Sequence, residues 1–407
     1  MALFNGEEIN LDIRDTESPP KLSNREINEK YVRGEIRIVT EQARYPLNTI
    51  AEIVENRSYK LSPEYQRRHR WSRDQQSRLI ESLIMNVPIP PVFLYEYDYS
   101  RYEVMDGLQR LTAIHDFYRN EFELSGLSQW NELNGRKYCD LPERVREGID
   151  RRYLSSVILL KETAKDDVEA LRLKQMVFER INSGGERLTP QETRNAIFDG
   201  SMNRLCIKLS KNDSLCRLWA IPAPEPAEIA GGTPSKERLA NEDYRRMEDV
   251  ELVLRFFAYR QKRNLHKGNI SLSGYLDVYL RHSNGFPEDV LMQLQMLFDE
   301  VISLVEDAFG ESAFWLYRCR GKEPSVRWAW LERSTTTVYD PLMYVVSRRI
   351  HQAPAIRNAK VAIQGRLEDF YKEHYETFGG RDVNRNTLIA REDSFNALFD
   401  DVVGIAT

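Results

Sequence analysis

The chain has 407 residues, of which 41% are hydrophobic and 30% charged, and its net charge is −5. This apolar content suffices for a sizeable core and excludes wholesale disorder, and the length corresponds to two or three domains of about 150 residues. No apolar run approaches the ~18 residues of a membrane helix, and no secretory signal precedes the first polar residues. The four cysteines form no CxxC pair, which argues against a zinc ribbon or a disulfide framework. We therefore predict a cytoplasmic protein without a membrane partner.

The first part of the chain divides into a polar arm and a mixed domain. Residues 1–35 are polar and charged, and we predict an N-terminal arm outside the core. From residue 36 to about residue 200 the apolar pattern alternates between strand and helix periods. The first strand is expected over 36–39 and the first helix of this domain over 49–56.

The next elements carry stronger local signals. Ser72 and Gln75 have the spacing of a capping box, so we predict a helix over 72–86. Residues 92–97 and 101–105 are rich in aromatic and β-branched side chains, which predicts a hairpin. A helix over 109–120 is expected to follow that hairpin directly.

The second half of the chain is predicted to be mainly helical. A helix is expected over 167–182, and Thr189 with Glu192 forms the clearest capping box in the sequence. A segment rich in Pro and Gly follows, and we take 201–240 as a linker region. Long amphipathic helices are then expected within 241–407.

The first candidate site is the sequence DGLQR at 106–110, where the hairpin ends and a helix begins. Gly107 allows a tight turn, and free amides at the helix start can face an anion. Arg110 has the geometry for two bonds to a phosphate, Gln109 is placed to orient a water, and Asp106 is a candidate for holding a metal or accepting a proton. The alternative is a simple helix cap, because so short a motif also occurs by chance.

The second candidate is a basic segment over 57–78, which carries seven basic and two acidic side chains. Arginines interleaved with aromatic residues suit phosphate contacts and base stacking. The alternative is a solvated loop that Trp71 anchors to the core. The candidate DNA-binding residues are Tyr65, Gln66, Arg67, Arg68, Arg70 and Trp71.

The third candidate is the end of the helix over 167–182. Arg180 and Asn182 precede Gly184-Gly185, whose amides could form an anion-binding nest. The alternative is a helix-turn-helix corner in which glycine serves only the backbone. The sequence contains no P-loop, HExxH, GxGxxG or GxSxG motif.

Together these three segments resemble the N-terminal domain family of GmrSD-type, type IV restriction systems and SspE-like phage-defence proteins. The resemblance covers about residues 36–200, and its matching stretches are YQRRHRW (65–71), LIESLIMNVPIPPVFLYE (79–96), YEVMDGLQRLTAIHDFY (102–118), LNGRKYCDLP (133–142) and FERINSGGERLTPQETRNAIF (178–198). It implies an α+β chain: a ParB/sulfiredoxin-like α/β core followed by a mainly helical domain.

The resemblance also implies a nucleotide site. The family's DGQQR-type motif is associated with binding and hydrolysis of a nucleoside triphosphate, with Mg²⁺ as the expected metal. Asp106, Gly107, Gln109 and Arg110 match that motif, whereas Leu108 replaces its first Gln. Arg180 and Asn182 match the family's FxRxN segment. The C-terminal part of the sequence shows no HNH nuclease pattern.

The leading hypothesis is a DNA-sensing module that hydrolyses a triphosphate. The alternatives are a non-catalytic, nucleotide-switched DNA-binding subunit and a ParB-like nuclease. Expected partners are DNA, a separate nuclease subunit, and further copies of the chain bound through the helical domain.

Overall fold

The computed structural model describes two compact units, an α+β unit over 19–197 and a helical unit formed by 1–18 with 198–407. The described residues are 3–9, 22–33, 38–61, 68, 71–163, 167–181, 188–230, 232–265, 271–320, 327–379 and 385–404. Within these ranges, no helix is both long and apolar enough to cross a bilayer.

The α+β unit is built from seven helices and five strands among its described residues. The helices are α1 (Asn24–Arg33), α2 (Ile50–Glu55), α3 (Arg73–Ile84), α4 (Leu108–Tyr118), α5 (Glu143–Asp150), α6 (Asp167–Ile181) and α7 (Pro190–Ile197). The strands are β1 (Thr40–Pro46), β2 (Tyr59–Lys60), β3 (Val92–Asp98), β4 (Arg101–Asp106) and β5 (Tyr153–Leu159).

The five strands form one mixed sheet in the order β1-β5-β3-β4-β2. The hairpin pair β3–β4 and the pair β1–β5 are antiparallel, whereas β3–β5 and β2–β4 are parallel. Helices α3 and α4 cover this sheet with apolar side chains such as Leu83 and Ile114. The sheet thereby holds the end of β4 and the start of α4 in a fixed position.

Local signals in the sequence explain most of these boundaries. The Ser72 hydroxyl accepts a bond from the Gln75 amide, and the Gln75 side chain accepts one from the Ser72 amide, which is the predicted capping box. The first strand, however, begins at Thr40 and not within 36–39. Residues 38 and 39 are described without strand structure, and 36 and 37 lie outside the described residues.

The helical unit contains thirteen helices and one two-stranded ribbon among its described residues. The helices are α8 (Ser201–Leu209), α9 (Asp213–Leu218), α10 (Pro226–Ile229), α11 (Lys236–Ala240), α12 (Glu242–Arg245), α13 (Glu248–Leu265), α14 (Leu272–Ser283), α15 (Glu288–Phe309), α16 (Thr336–Arg348), α17 (Ala353–Asn358), α18 (Lys360–Glu373), α19 (Tyr375–Gly379) and α20 (Arg385–Gly404). The ribbon strands are β6 (Leu316–Arg320) and β7 (Arg327–Leu331).

Two segments of this unit differ from the sequence-based expectation. The region 201–240, taken as a linker, forms the short helices α8 to α11, and α8 buries Met202 and Cys206 at 0% and 1% exposure. Residues 3–9, taken as part of an arm, belong to the helical unit and bury Glu7 completely. Proline, glycine and charge are local signals, and they do not reveal contacts with distant helices.

The fold class is α+β, as predicted, with the sheet in the N-terminal part and helices after it. The long helices of the second part have the expected apolar faces: Leu294, Phe298, Val301 and Val305 of α15 are all fully buried.

Candidate functional site

The DGLQR segment forms the turn between β4 and α4. Strand β4 ends at Asp106, and α4 begins at Leu108. Gly107 lies between them with φ 97° and ψ 10°, in the left-handed region. A side chain at this position would be strained, and a Cβ would lie only 2.7 Å from Cγ1 of Val92. Glycine is therefore required here by both the backbone and the close approach of β3.

Replacing Gly107 by Ala should lower the free energy of unfolding by roughly 2–4 kcal/mol, because left-handed backbone strain adds to overpacking against Val92. The matched control is Gly135→Ala, since Gly135 also has a positive φ of 80° but nothing within 4 Å of an added Cβ. Urea unfolding of both variants measures the difference. Equal losses in the two variants would show that the approach of Val92 is not a constraint.

The start of α3 is capped by side chains, whereas the N-cap residue of α4 provides no side-chain cap. Ser72 and Gln75 satisfy amides at the start of α3, but Gly107 has no side chain and no side-chain cap bonds to the start of α4. The first amides of a helix have no partner within the helix and carry the positive end of its dipole. An anion at the start of α4 would therefore lie at the positive end of the helix dipole.

Arg110 is folded back onto its own turn. Its guanidinium donates to Oδ2 of Asp106 at 2.6 Å, to the carbonyl of Pro91 at 3.2 Å and to the carbonyl of Pro90. The residue is 9% exposed. The sequence predicts Arg110 as a phosphate ligand near a helix start. In the structure, its hydrogen bonds to the Pro90 and Pro91 carbonyls also connect the turn to the loop before β3.

Gln109 connects the turn to the basic segment. Its Oε1 atom accepts a hydrogen bond from the backbone amide of Trp71, at 3.2 Å. The Trp71 side chain packs against the apolar core of the α+β unit. The candidate water-orienting residue and the end of the candidate DNA-binding segment are therefore in direct contact.

The candidate DNA-binding residues are only partly described. Tyr65, Gln66, Arg67 and Arg70 lie outside the described residues. Arg68 is described and is 5% exposed. The DNA-binding role of Arg68 and of its neighbours stays a prediction.

The third candidate segment lies at the end of α6. Helix α6 is tied to β4 by Lys174, whose Nζ atom lies 2.8 Å from both carboxylate oxygens of Glu103. Arg180 is exposed in the last turn of the helix, and Asn182 lies outside the described residues. The capping box before α7 is confirmed, because Thr189 and Glu192 exchange side-chain-to-backbone bonds.

One cluster near α4 was not identified from the sequence. His115, Asp116 and Glu121 each offer one ligand atom, and these atoms lie within 4.8 Å of one another. The His115 ring nitrogens lie 3.0 Å from Oδ1 of Asp116 and 3.3 Å from Oε1 of Glu55. No sequence motif joins Glu121, which follows the helix, to the two residues inside it.

The cluster borders an open cleft of about 650 Å³, whose lining includes Glu121, Arg73 and Lys137. An Arg73 nitrogen lies 3.9 Å from Oδ2 of Asp116. Arg119 makes a two-bond contact with Glu55, and this hydrogen bonding holds the pKa of the Glu55 carboxyl below its usual range. The carboxylates of this region are therefore compensated by arginine and histidine side chains.

The far end of α4 is fixed by a shared carboxylate. The hydroxyls of Tyr118 and Tyr138 both donate to Asp150, over 2.9–3.0 Å. Burial together with these bonds raises the pKa of Tyr138 to about 12 and that of Tyr118 still further. Both tyrosines therefore remain protonated donors at neutral pH, and they keep α4 in place behind the turn.

The fold and the site define an α+β domain with an open, glycine-initiated helix start at the end of a strand. Residues 50–198 match the family model described as the N-terminal domain of GmrSD restriction endonuclease. These residues are therefore similar to the N-terminal domain of that family, and the resemblance in sequence is confirmed over this range. No curated protein and no solved structure matches the chain.

Proposed function

We propose that this chain is a DNA-sensing module of a restriction or anti-phage system and that it hydrolyses a nucleoside triphosphate at the DGLQR turn. The family match supports the restriction-related class. The observation that carries the nucleotide proposal is the uncapped start of α4 behind Gly107, beside a conformationally fixed arginine. A triphosphate is a multiply charged anion, and such a helix start offers it amide donors.

Each residue of the turn has a proposed role. The amides at the start of α4 bind a phosphate, and Arg110 neutralises the charge that develops on it. Hydrolysis of a phosphoanhydride needs an oriented water more than a covalent nucleophile, and Gln109 orients that water. Arg180 and Asn182 are proposed to complete the nucleotide pocket, as the resemblance implies.

The chemistry of the donor set suits Mg²⁺. Asp106 is about one-third exposed, and only its Oδ2 atom has a recorded hydrogen bond, to Arg110. Mg²⁺ is typically held by one or two carboxylates together with waters and substrate phosphates, so Oδ1 of Asp106 is a suitable ligand. When bound, the metal would neutralise phosphate charge, and Asp106 would then compete less strongly for Arg110.

The Gln109–Trp71 bond offers a route by which DNA could act on hydrolysis. Trp71 is the last of the candidate DNA-binding residues of the basic segment, and its backbone amide donates to the side-chain oxygen of Gln109. DNA that repositions this segment would change the orientation of Gln109 and hence the turnover of nucleotide. A separate nuclease subunit, or assembly through the helical unit, is proposed to convert this signal into DNA cleavage.

The nuclease alternative has less support from the geometry. It requires a metal near the site, for which His115, Asp116 and Glu121 form a candidate group. Both His115 nitrogens, however, already face carboxylates, and Arg73 already faces Asp116. Two of the three side chains, His115 and Asp116, are therefore already engaged by protein groups, and we retain the triphosphatase proposal.

Gln109→Ala is the variant that tests the catalytic role. It should leave nucleotide affinity nearly unchanged and lower the rate of phosphate release about 100-fold, as expected for the loss of a water-positioning group. Gln42→Ala, on the exposed edge strand β1, is the matched control. Equilibrium binding and phosphate release are measured for both; release at the wild-type rate from Gln109→Ala would remove Gln109 from the mechanism.

A further inference from the structure

The ribbon β6–β7 of the helical unit has two chemically different faces. The register pairs position 317 with 330 and position 318 with 329, and directly opposed residues share a face. Adjacent residues of a strand point to opposite faces. One face therefore carries Tyr317, Trp328 and Trp330, and the other, the basic face, carries Arg318 and Arg327 beside apolar residues.

The aromatic face anchors the ribbon to the helices. Trp330 packs edge-on against Tyr371 of α18 with ring centroids 5.9 Å apart, and Trp328 packs against Tyr375 of α19 at 5.4 Å. The isolated two-stranded ribbon would be only marginally stable. These aromatic contacts attach one face of the ribbon to the helices, while Arg318 and Arg327 on the other face are exposed.

The basic face lacks compensating carboxylates among the residues that the structure describes. Arg318 and Arg327 are both exposed, and neither has a recorded ion pair or side-chain hydrogen bond within the described ranges. The sequence 316–333 as a whole carries five basic and two acidic residues. Other exposed arginines of this unit, such as Arg204, Arg217 and Arg357, face a carboxylate.

The register places the two exposed arginines on the same face. Position 318 pairs with 329 and position 327 with 320, and positions two apart along a strand share a face. A polyanion bound on this face would meet both positive charges. Arginine is suited to that role because its guanidinium makes two parallel bonds to a phosphate.

We propose that the basic face of the β6–β7 ribbon is a DNA-binding surface that contacts the phosphate backbone of duplex DNA. The proposal rests on the proposed function for its choice of DNA as the polyanion. A two-stranded ribbon has the dimensions to follow a DNA groove, and contacts of this kind position a protein on the duplex without reading its sequence. The surface lies outside residues 50–198, which match the family model.

The test is binding of a fluorescent 20-base-pair duplex by the full chain, measured by anisotropy over a series of salt concentrations. The double variant Arg318→Ala/Arg327→Ala should bind about 10- to 100-fold more weakly at 100 mM salt, and its slope of log K against log salt should be shallower by about two units. Arg318→Lys/Arg327→Lys should keep the wild-type slope, since both charges remain.

The matched control is Arg204→Ala/Arg246→Ala, which removes two exposed arginines of the same unit that already face carboxylates. It should bind DNA like the wild type. An unchanged slope in the Arg318/Arg327 double variant, with wild-type DNA binding intact, would overturn the ribbon proposal alone. A wild-type chain that binds no duplex would overturn both this proposal and the DNA-sensing function. A wild-type chain that binds duplex but releases no phosphate would contradict only the proposed hydrolysis at residues 106–110.

Discussion

Arg110→Ala should weaken binding of a nucleoside triphosphate by roughly 10- to 150-fold. This range follows from loss of a charge-assisted bond worth about 1.5–3 kcal/mol. It should also lower the free energy of unfolding, because Asp106 loses its ion pair and the Pro90 and Pro91 carbonyls lose a donor. Isothermal titration with the nucleotide and urea unfolding measure the two effects separately.

Two further variants separate charge from structure in this experiment. Arg101→Ala removes an exposed arginine at the start of β4, the strand before the turn, and should change neither quantity. Arg110→Lys keeps the positive charge but not the forked geometry, so it should recover only part of the affinity. If Arg110→Ala binds nucleotide as tightly as the wild type, Arg110 contributes only to the stability of the turn and not to nucleotide binding.

Glu7→Ala should lower the free energy of unfolding of the helical unit by about 3–5 kcal/mol, the usual range when one partner of a buried ion pair is removed. Glu7 is fully buried, and its two carboxylate oxygens lie 2.6 and 2.8 Å from the Arg260 guanidinium. Without Glu7 that guanidinium would be left buried and uncompensated. Chemical unfolding followed by circular dichroism measures the loss.

The neighbouring Glu8 provides the control for this prediction. Glu8 is exposed, so Glu8→Ala should change the free energy of unfolding by less than about 0.5 kcal/mol. Both variants remove one carboxylate from the same short segment. Similar small effects in the two would mean that residues 3–9 do not contribute to the stability of the helical unit.

Features that depend on nearby residues were predictable from the sequence. The capping box of Ser72 and Gln75 spans three positions, and the hairpin over 92–106 needs only alternation and a short turn. Gly107 was also predictable as a turn residue, since only glycine enters the left-handed region without strain. These elements define where the candidate site lies along the chain.

Features that depend on distant residues were not predictable. The Glu7–Arg260 pair joins residues 253 positions apart, and the Gln109–Trp71 bond joins residues 38 apart. The same limit applies to Arg110, because its motif does not reveal that its guanidinium also donates to the Pro90 and Pro91 carbonyls. Spacing along the sequence reports the period of an element but not the neighbour that it meets in the fold.

Phosphate release from ATP, GTP and CTP by the wild-type chain, with and without duplex DNA, is the most direct test of the central claim. The proposed function predicts Mg²⁺-dependent release from at least one of these nucleotides and a change of rate when DNA is added. Binding of a nucleotide without any release would favour a switch that binds but does not hydrolyse. If no nucleotide binds, the DGLQR turn is a helix start without a ligand, and the proposed function is contradicted.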